Sequence, residues 1–506
     1  MRISALIKSS SITLVVIALI LGFSASLTAQ TKKHLRVGQF AFGEQATLDP
    51  QNHWDFAQYA LSYLLYDRLI EKKGAGTFQP SLATDWRFIN SRTLELKLRQ
   101  DVLFHNGEIF SPNSVKFTLE RMSREKVIQS FQWADLEEVE IVDSNTIRIK
   151  TKAPKGSIFT YLAEVPMLTS TSFVGDSYKP IGTGAFLLEN YNVGDQVATL
   201  VRSSNYWGGP THLKKGNLER ITIRSIPEPA TQLAALLAGE VDVIQQIDPA
   251  FIQRLEANPN ISTQFAVETN WYHIHLNTSR PPLNNPLVIE AINSAVDRKF
   301  LTDLIGGGSI PAGSNIPPAV LGHNPDLKPI PYDPDKARQL LKKAGLPNGL
   351  EIEISFKPGI HPRWIQFQEA LADQMARAGI KVTLKRMSPG PFYNYRKSGK
   401  WHTYTQEYGS YPVDPDVPLG DRLLANPFKD NFSDKDIVKL IKQARTTTNQ
   451  DERVKLYRKA EVLMRERGPF IPLVFPGTTY GYRSDRIIHF EGNAQKIPDY
   501  RVVVMK

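Results

Sequence analysis

The repeated alternation of strand and helix patterns over 506 residues is the feature that most constrains this chain. One unit predicts a strand at Leu350–Phe356, a helix at Trp364–Ala378 and a second strand at Ile380–Arg386. A further unit places a strand at Ile221–Ile226 before a helix at Pro229–Ala238. Such alternation predicts α/β lobes. Because a chain of this length exceeds one hydrophobic core, we expect two or three domains.

The amino terminus has the order of a secretory signal peptide. Arg2 and Lys8 precede an apolar run, Ile12–Phe23, and small residues follow up to Ala29. The run is short for a membrane span, so we predict a cleaved signal peptide over residues 1–29 rather than an anchor. The sequence contains no Cys, which rules out both disulfides and a lipid anchor at the signal end. We therefore expect a soluble periplasmic protein.

The net charge of +10 raises the question of a nucleic-acid or membrane partner. Lys and Arg are spread along the chain and interleaved with acids, and no basic block or zinc-finger pattern occurs. We therefore expect no nucleic-acid partner. The glycine-rich stretch Pro180–Phe186 lacks the Lys-Ser/Thr of a phosphate loop, and the sequence has no hydrolase, zinc-protease or dinucleotide motif. We expect no catalysis and no cofactor.

Several signatures occur in a fixed order along the chain. They comprise Thr47-Leu-Asp-Pro50, Leu82-Ala-x-x-Trp86, Arg99-x-Asp-Val-x-Phe-His-Asn-Gly107, Ser114-Val-x-Phe-Thr-Leu-Glu-Arg121, Asn205-Tyr-Trp-Gly-Gly-Pro210 and Ala291-Ile-Asn-x-Ala-Val-Asp-Arg298. This order resembles the peptide/oligopeptide/nickel-binding proteins of ABC importers, family 5 of the bacterial extracellular solute-binding proteins. The resemblance covers nearly the whole mature chain.

The resemblance implies an α/β, two-lobed periplasmic binding protein with a hinge between the lobes and an extra inserted domain. Lobe I is expected to be discontinuous, and the inserted domain to interrupt it early. The implied boundaries are 30–75, 177–270 and 478–506 for lobe I, 76–176 for the inserted domain, and 271–477 for lobe II.

The resemblance also implies the function. Members bind a small solute between the lobes, close around it, and deliver it to ABC permease subunits in the inner membrane. We expect a monomer whose ligand is a peptide, a modified peptide, an opine or a sugar conjugate. The alternatives are a metal or metallophore carrier of the nickel type and a hydrolase on the same scaffold.

By resemblance, the segment before the first long helix, Trp54-Asp55-Phe56, runs beside the ligand. Trp133, in the inserted segment, is a further aromatic candidate. One expected loop contains four large aromatic residues: Trp401, Tyr404, Tyr408 and Tyr411. They are candidates for ligand contact, because large rings supply contact area in a closed cleft.

The family loop that holds a peptide reads Gly-Trp-x-x-Asp-x-x-Asp-Pro, and here the matching stretch runs from Glu407 to Pro415. Tyr408 replaces the Trp, Ser410 follows, and Tyr411 replaces the Asp that pairs with a peptide amine. The resemblance therefore predicts poor binding of unmodified peptides and a ligand with a neutral or blocked end. Glu407 or Asp55 is the nearest alternative acid.

A basic residue after the Leu350–Phe356 strand can meet a ligand carboxylate in this family, which makes Lys357 and Arg363 candidates. His273 and His275 lie two apart on a predicted strand, so both face the same side. That spacing can hold a metal, but it lacks a third ligand. We interpret the two histidines as structural.

Overall fold

The computed structural model describes residues 33–39, 47–53, 56–124, 127–175, 177–209, 216–409, 413–424, 431–432 and 434–506. Strands form three larger sheets. The first has seven strands, in the spatial order Phe186–Asn192, Val197–Arg202, Arg220–Ser225, His34–Gln39, Val243–Gln245, Gly477–Arg483 and Ile261–Val267. Its three inner parallel strands are the ones at residues 34, 220 and 243.

The second sheet has six strands, ordered Ile310–Pro311, Phe470–Phe475, Asn270–Leu276, Thr403–Gly409, Leu350–Phe356 and Ile380–Arg386. The third, smaller sheet is antiparallel, with the order Ala83–Asn90, Thr93–Leu98, Thr146–Thr151 and Leu136–Ile141. Two-stranded ribbons complete the strand content: Ile70–Gly74 with Thr77–Pro80, Phe173–Val174 with Ser177–Tyr178, and Ile487–His489 with Val504–Met505.

The α-helices cover the faces of these sheets. They are Phe56–Leu65, Pro112–Arg124, Ile158–Leu162, Pro229–Leu237, Ile252–Glu256, Pro286–Ser294, Arg298–Ile305, Pro334–Lys343, Trp364–Arg377, Pro389–Lys397, Arg422–Leu424, Lys435–Thr446 and Gln450–Arg467. Short 3₁₀ turns lie at Ser130–Trp133, Ser170–Ser172, Pro249–Phe251 and Tyr500–Val502, and a π-helical turn at Asp416–Asp421. In the described ranges, no helix combines the length and apolarity needed to cross a bilayer.

Each large sheet has its own hydrophobic core. The first sheet packs on Leu61, Leu64 and Leu65 of the first helix, and the second on helices 286–305 and 364–377. The third sheet encloses a separate core with Val115, Leu119 and Trp133. Separate cores on separate sheets are what a multi-domain chain of this length requires.

Several predicted elements end elsewhere than the sequence patterns place them. The sequence from Phe56 to Ile70 predicts one helix, but in the structure this helix ends at Leu65. Arg68 provides the reason, because its Nη1 donates to the Ser62 carbonyl at 3.0 Å and to the Tyr66 carbonyl at 2.7 Å. The first bond adds to the 3.1 Å bond that the Tyr66 amide donates to the Ser62 carbonyl, and the second satisfies a carbonyl just after the helix. Ile70 then starts a strand.

The sequence from Asn285 to Lys299 predicts one helix, but the structure has two helices here. The first ends at Ser294, and Asp297 caps the second by accepting a hydrogen bond from the Phe300 amide at 3.0 Å. The predicted aromatic loop is also wrong in part, since Tyr404 and Tyr408 belong to the strand Thr403–Gly409 inside the second sheet.

Candidate functional site

The chain crosses between the first and second sheets at two neighbouring points. Glu268 and Thr269 connect the strands Ile261–Val267 and Asn270–Leu276, and Pro476 connects Phe475 to Gly477. The two crossings are bonded to each other, because the Glu268 amide donates to the Pro476 carbonyl at 2.8 Å. Two adjacent crossings of this kind form a hinge, and the space between the sheets is a cleft.

Gly477 shows how closely the hinge is packed. A Cβ on this residue would lie 2.2 Å from the Gly307 carbonyl oxygen and 2.6 Å from the Ser309 amide nitrogen. No side chain fits there without moving backbone. The Gly477 amide donates to Ser309 Oγ at 2.9 Å, so the crossing is held by the second sheet's connecting loop.

A cavity of about 520 Å³ lies against this hinge and is lined by both halves of the molecule. The first sheet supplies Gln246–Pro249 and Gly477–Thr479, which follow or begin its strands. The second supplies Tyr272 and the loop Pro358–Ile365. Residues that follow the carboxyl ends of parallel strands meet in such a crevice, which is where α/β proteins bind ligands.

Two residues that line the cavity, Lys496 and Glu268, belong to a buried acid–base cluster. Lys496 Nζ lies 2.7 Å from Glu268 Oε2 and 3.7 Å from Glu407 Oε1. Asn270 Nδ2 donates to the same two carboxylates, at 3.1 Å and 2.6 Å. The cluster joins the tail, the hinge and the second sheet, so it ties both lobes together at the cleft.

Charge balance explains the titration of this cluster. Burial favours the neutral forms of Lys496 and Glu268. The charges of Glu268 and Glu407 outweigh that effect for Lys496 and raise its pKa above the ordinary value. For Glu268, burial is the largest influence and the charge of Glu407 adds to it, so its pKa is raised. One lysine between two acids leaves the cluster with an excess of negative charge when all three are ionised.

Lys357 and Arg363, the two predicted carboxylate-binding residues, have different environments. Arg363 Nη1 donates to the Leu304 carbonyl at 2.9 Å. Lys357 follows the strand Leu350–Phe356 and is half-buried, and burial lowers its pKa, with Glu407 acting in the opposite direction. In the part of the chain that the structure describes, no acceptor or carboxylate lies within bonding distance of Lys357 Nζ.

His361 lines the same cavity and is uncharged at neutral pH. Burial lowers its pKa to about 4, against a raising influence from Asp248. Its Nδ1 accepts a hydrogen bond from the Arg363 amide at 3.1 Å, which fixes the loop. The ring edge of Tyr272 packs on Trp364 with centroids 4.9 Å apart, adding an apolar floor.

Tyr408, expected to offer a flat face to the ligand, is buried and stacks on His273, with centroids 4.6 Å apart. Trp133 has no exposed surface and lies in the core of the third sheet. The Glu407 side chain is 23% exposed, and its charge acts on the pKa of Lys357. Tyr408 and Trp133, by contrast, are packed as core side chains.

His273 and His275 project to the same side of their strand, as predicted, and both are buried. Tyr404, Trp401, Phe470 and Tyr408 surround them, and His275 Nδ1 is hydrogen-bonded to the Tyr404 hydroxyl. Across the described ranges, no three His, Asp or Glu side chains gather in a way that would hold a metal ion.

Four predicted contact residues, Trp54, Asp55, Ser410 and Tyr411, lie outside the described residues. Phe56 begins the helix Phe56–Leu65, but its side chain is not described. Residues 47–53, which precede Trp54, are well anchored, because Arg121 donates two hydrogen bonds to the Asp49 carboxylate, at 3.1 Å and 2.6 Å. The Leu-Asp-Pro signature therefore docks the approach to the first helix onto the helix Pro112–Arg124.

Sequence reasoning missed Lys496, Glu268, Asn270 and His361. No motif marks these residues. Lys496 is far from Glu268 and Glu407 in the sequence and comes close to them only in the folded hinge region. The sequence signal that was available is the pair of polar residues Glu268 and Asn270, which stands between two strand patterns.

Two large sheets joined by a double crossing around a polar cleft define a two-lobed periplasmic binding protein, which confirms the predicted fold class. The structure of HbpA2 from Haemophilus parasuis superposes with a TM-score of 0.83 at 25% identity, covering 94% of this chain and 100% of that one. Heme-binding protein A of Haemophilus influenzae is 29% identical over 463 residues, 82% of each chain. Di/tripeptide-binding protein 1 of Pseudomonas aeruginosa is 27% identical over 475 residues, 85% of this chain and 87% of the relative.

The family described as bacterial extracellular solute-binding proteins, family 5, matches residues 77–428 through its middle region. Since that match spans more than half of the sequence, the chain belongs to this family, as the order of signatures indicated. It is a substrate-binding protein of an ABC transporter, and members of the family bind solutes for transport.

Proposed function

We propose that the protein is a monomeric periplasmic receptor that captures a peptide or peptide-like solute between its lobes and passes it to an ABC permease. It acts by binding and closure, without catalysis and without a cofactor. The hinge cavity supports this, because its volume lies in the range that small ligands occupy. The name of the Pseudomonas relative, a di/tripeptide-binding protein, supports a peptide-type ligand.

We assign lobe I to residues 30–75, 177–270 and 478–506, the inserted domain to 76–176 and lobe II to 271–477. The strand content of the sheets supports this division. All strands of the first sheet fall inside the lobe I segments, except that the strand Gly477–Arg483 begins one residue before the segment 478–506. The third sheet lies wholly within 83–151.

Lys357 is the observation that carries the proposed ligand class. A half-buried ammonium group with no protein acceptor in the described residues is stabilised by an anion from outside. A ligand carboxylate meets that need. Glu407, by contrast, is already engaged by Asn270 and lies near Lys496. The ligand that fits best has a carboxylate for Lys357 and a neutral or blocked opposite end.

Mass spectrometry of solute extracted from protein purified out of the native periplasm identifies the ligand directly. Calorimetric titration with a pool of di- to pentapeptides and with the N-acetylated pool tests the class. We expect the acetylated pool to bind more tightly. Tight binding of the free-amine pool that acetylation abolishes would show that an acid such as Glu407 or Asp55 receives the amine. Binding of neither pool would reject a peptide-type ligand.

A further inference from the structure

A loop of the third-sheet domain reaches across to the helices of the second sheet's half. The Gly156 amide donates to the Arg445 carbonyl at 2.7 Å, and Gln450 Nε2 donates to the Gly156 carbonyl at 3.0 Å. Gly156 precedes the helix Ile158–Leu162, whereas Arg445 and Gln450 flank the turn between Lys435–Thr446 and Gln450–Arg467. Both backbone groups of one glycine are therefore satisfied by the opposite half of the molecule.

The approach at this point leaves no room for a side chain. A Cβ on Gly156 would lie 2.4 Å from the Thr447 carbonyl oxygen and 2.9 Å from that of Ala444. Both obstacles are backbone atoms, so a small rotamer change cannot relieve them. Any residue larger than glycine forces the two surfaces apart.

A second contact lies beside the first. Thr160 Oγ1 donates to Asp414 Oδ2 at 3.0 Å, and Asp414 is held by Arg453 through two hydrogen bonds of 2.7 Å and 2.6 Å. The Arg453 and Asp414 side chains have no exposed surface. A fully buried two-bond pair fixes the carboxylate rigidly, so Thr160 meets an acceptor whose position does not vary.

The domain that carries Gly156 is fixed to the first sheet's half, because Arg121 pairs with Asp49 and the His105 amide donates to the Gly182 carbonyl at 2.8 Å. Its contact with the second half therefore bridges the two halves in addition to the hinge crossings. The bonds named here join polar groups, which suits a surface that opens and closes.

We propose that the Gly156–Thr160 loop is a closure latch that docks on Asp414 and on the turn at Arg445 and Gln450, and holds the cleft shut. Thr160, Asp414 and Arg453 are positioning residues, which set ligand affinity through the closed state without touching the ligand. The effect of the latch on ligand affinity rests on the proposed capture function. The latch itself is proposed to form without ligand. Loss of the latch lowers the closed fraction and reduces apparent affinity by the same factor.

The absence of cysteine makes the test direct. Spin labels on Glu138→Cys and Lys459→Cys, both exposed, report the distance between the two halves by pulsed electron resonance. In ligand-free protein we expect a short-distance population in the parent and its shift to longer distances in Gly156→Ala and Thr160→Val. Thr160→Val should weaken ligand retention roughly three- to tenfold, the loss of about one net hydrogen bond.

Two control variants separate latch loss from general damage. Gly390→Ala adds a Cβ that meets nothing within 4 Å. Thr151→Val removes a buried hydroxyl that donates to the Ala153 carbonyl at 2.7 Å, a contact inside the third-sheet domain. Both should keep the parent's distance distribution. An unchanged distribution in Gly156→Ala and Thr160→Val, or no short population in the parent, overturns the latch. Because these distances are measured without ligand, failure of the peptide titrations alone would reject only the ligand class.

Discussion

His273 stacks on Tyr408 across two paired strands, with ring centroids 4.6 Å apart and planes inclined by 23°. The sequence suggested a different role for each residue. His273 was a weak metal candidate, and Tyr408 was expected to contact the ligand. Their mutual contact, deep in the second sheet's core, gives both a structural role. Neither ring is therefore available to a ligand in the cleft as the structure places them.

Replacing both His273 and His275 with Gln should lower the free energy of unfolding by about 1–3 kcal/mol, the cost of disrupting buried polar groups. Ligand affinity should stay within about tenfold, because neither ring faces the cavity. Chemical denaturation and calorimetry measure the two effects. His402→Gln, at an exposed position, serves as the control. Loss of a stoichiometric metal ion from the double variant would contradict this interpretation.

Glu461 should make stability fall as the pH rises through neutrality. Burial raises its pKa from 4.5 to about 7, opposed by hydrogen bonds from Asn315. Between these pH values the folded state binds more protons than the unfolded state, so the stabilisation is complete below pH 4.5 and lost above about 7. Glu461→Gln should therefore gain on the order of 3 kcal/mol above pH 7 relative to the parent.

Unfolding measured across this pH range checks the effect of Glu461, with Glu466→Gln as a control on the same helix. Glu466 is exposed, so its replacement should not alter the pH dependence. The Gln side chain keeps an acceptor for the Asn315 amide, which donates to Glu461 Oε2 at 2.7 Å. Parallel pH profiles for Glu461→Gln and the parent would show that the carboxyl stays ionised.

Asp49→Asn should lower the free energy of unfolding by about 3–5 kcal/mol, because it leaves the buried Arg121 without its counter-charge. The Asp49 and Arg121 side chains are each only 8% exposed. Asp303→Asn removes an exposed partner of Lys299 and should leave stability unchanged, since exposed pairs contribute little. Equal effects of the two variants in urea denaturation would contradict this ranking.

The strands were predicted best where apolar residues alternate with charged ones. Leu350–Phe356 and Ile380–Arg386 occupy the predicted residues. Thr403–Gly409 was missed because nearly all of its residues are buried on both faces, so no alternation shows in the sequence. Family order predicted the class of protein and the fold, neither of which periodicity alone could supply.

The candidate site was predicted only in part, for a physical reason. Lys357 follows a predicted parallel strand, a position that sequence patterns can locate, whereas Glu407 was named from the family loop alone. Lys496 joins them from the tail, and its partners are chosen by three-dimensional packing at the hinge rather than by any local pattern. Trp133 was wrongly predicted to contact the ligand, because the sequence does not distinguish an aromatic residue in a core from one in a cleft.

Export should remove the amino-terminal segment close after Ala29. The order of charged, apolar and small residues in the sequence motivates this prediction. Intact mass spectrometry of the protein released from the periplasm measures the mature mass, which should correspond to a chain that begins near Gln30. A full-length species found in the cytoplasm would contradict export.

Lys357→Gln should weaken binding of a carboxylate-bearing ligand by about ten- to a hundredfold, the loss of one hydrogen bond to a charged group, worth about 1.5–3 kcal/mol. Arg363→Gln is the matched control, because Arg363 donates to the Leu304 carbonyl and not to the cavity. Burial lowers the pKa of Lys357 below its ordinary value of 10.5. Affinity should therefore decline as the pH approaches that lowered pKa from below, and Lys357→Gln should abolish this decline. Calorimetric titration with the solute extracted from the native protein measures both effects, and equal losses in the two variants would show that Lys357 does not receive the carboxylate.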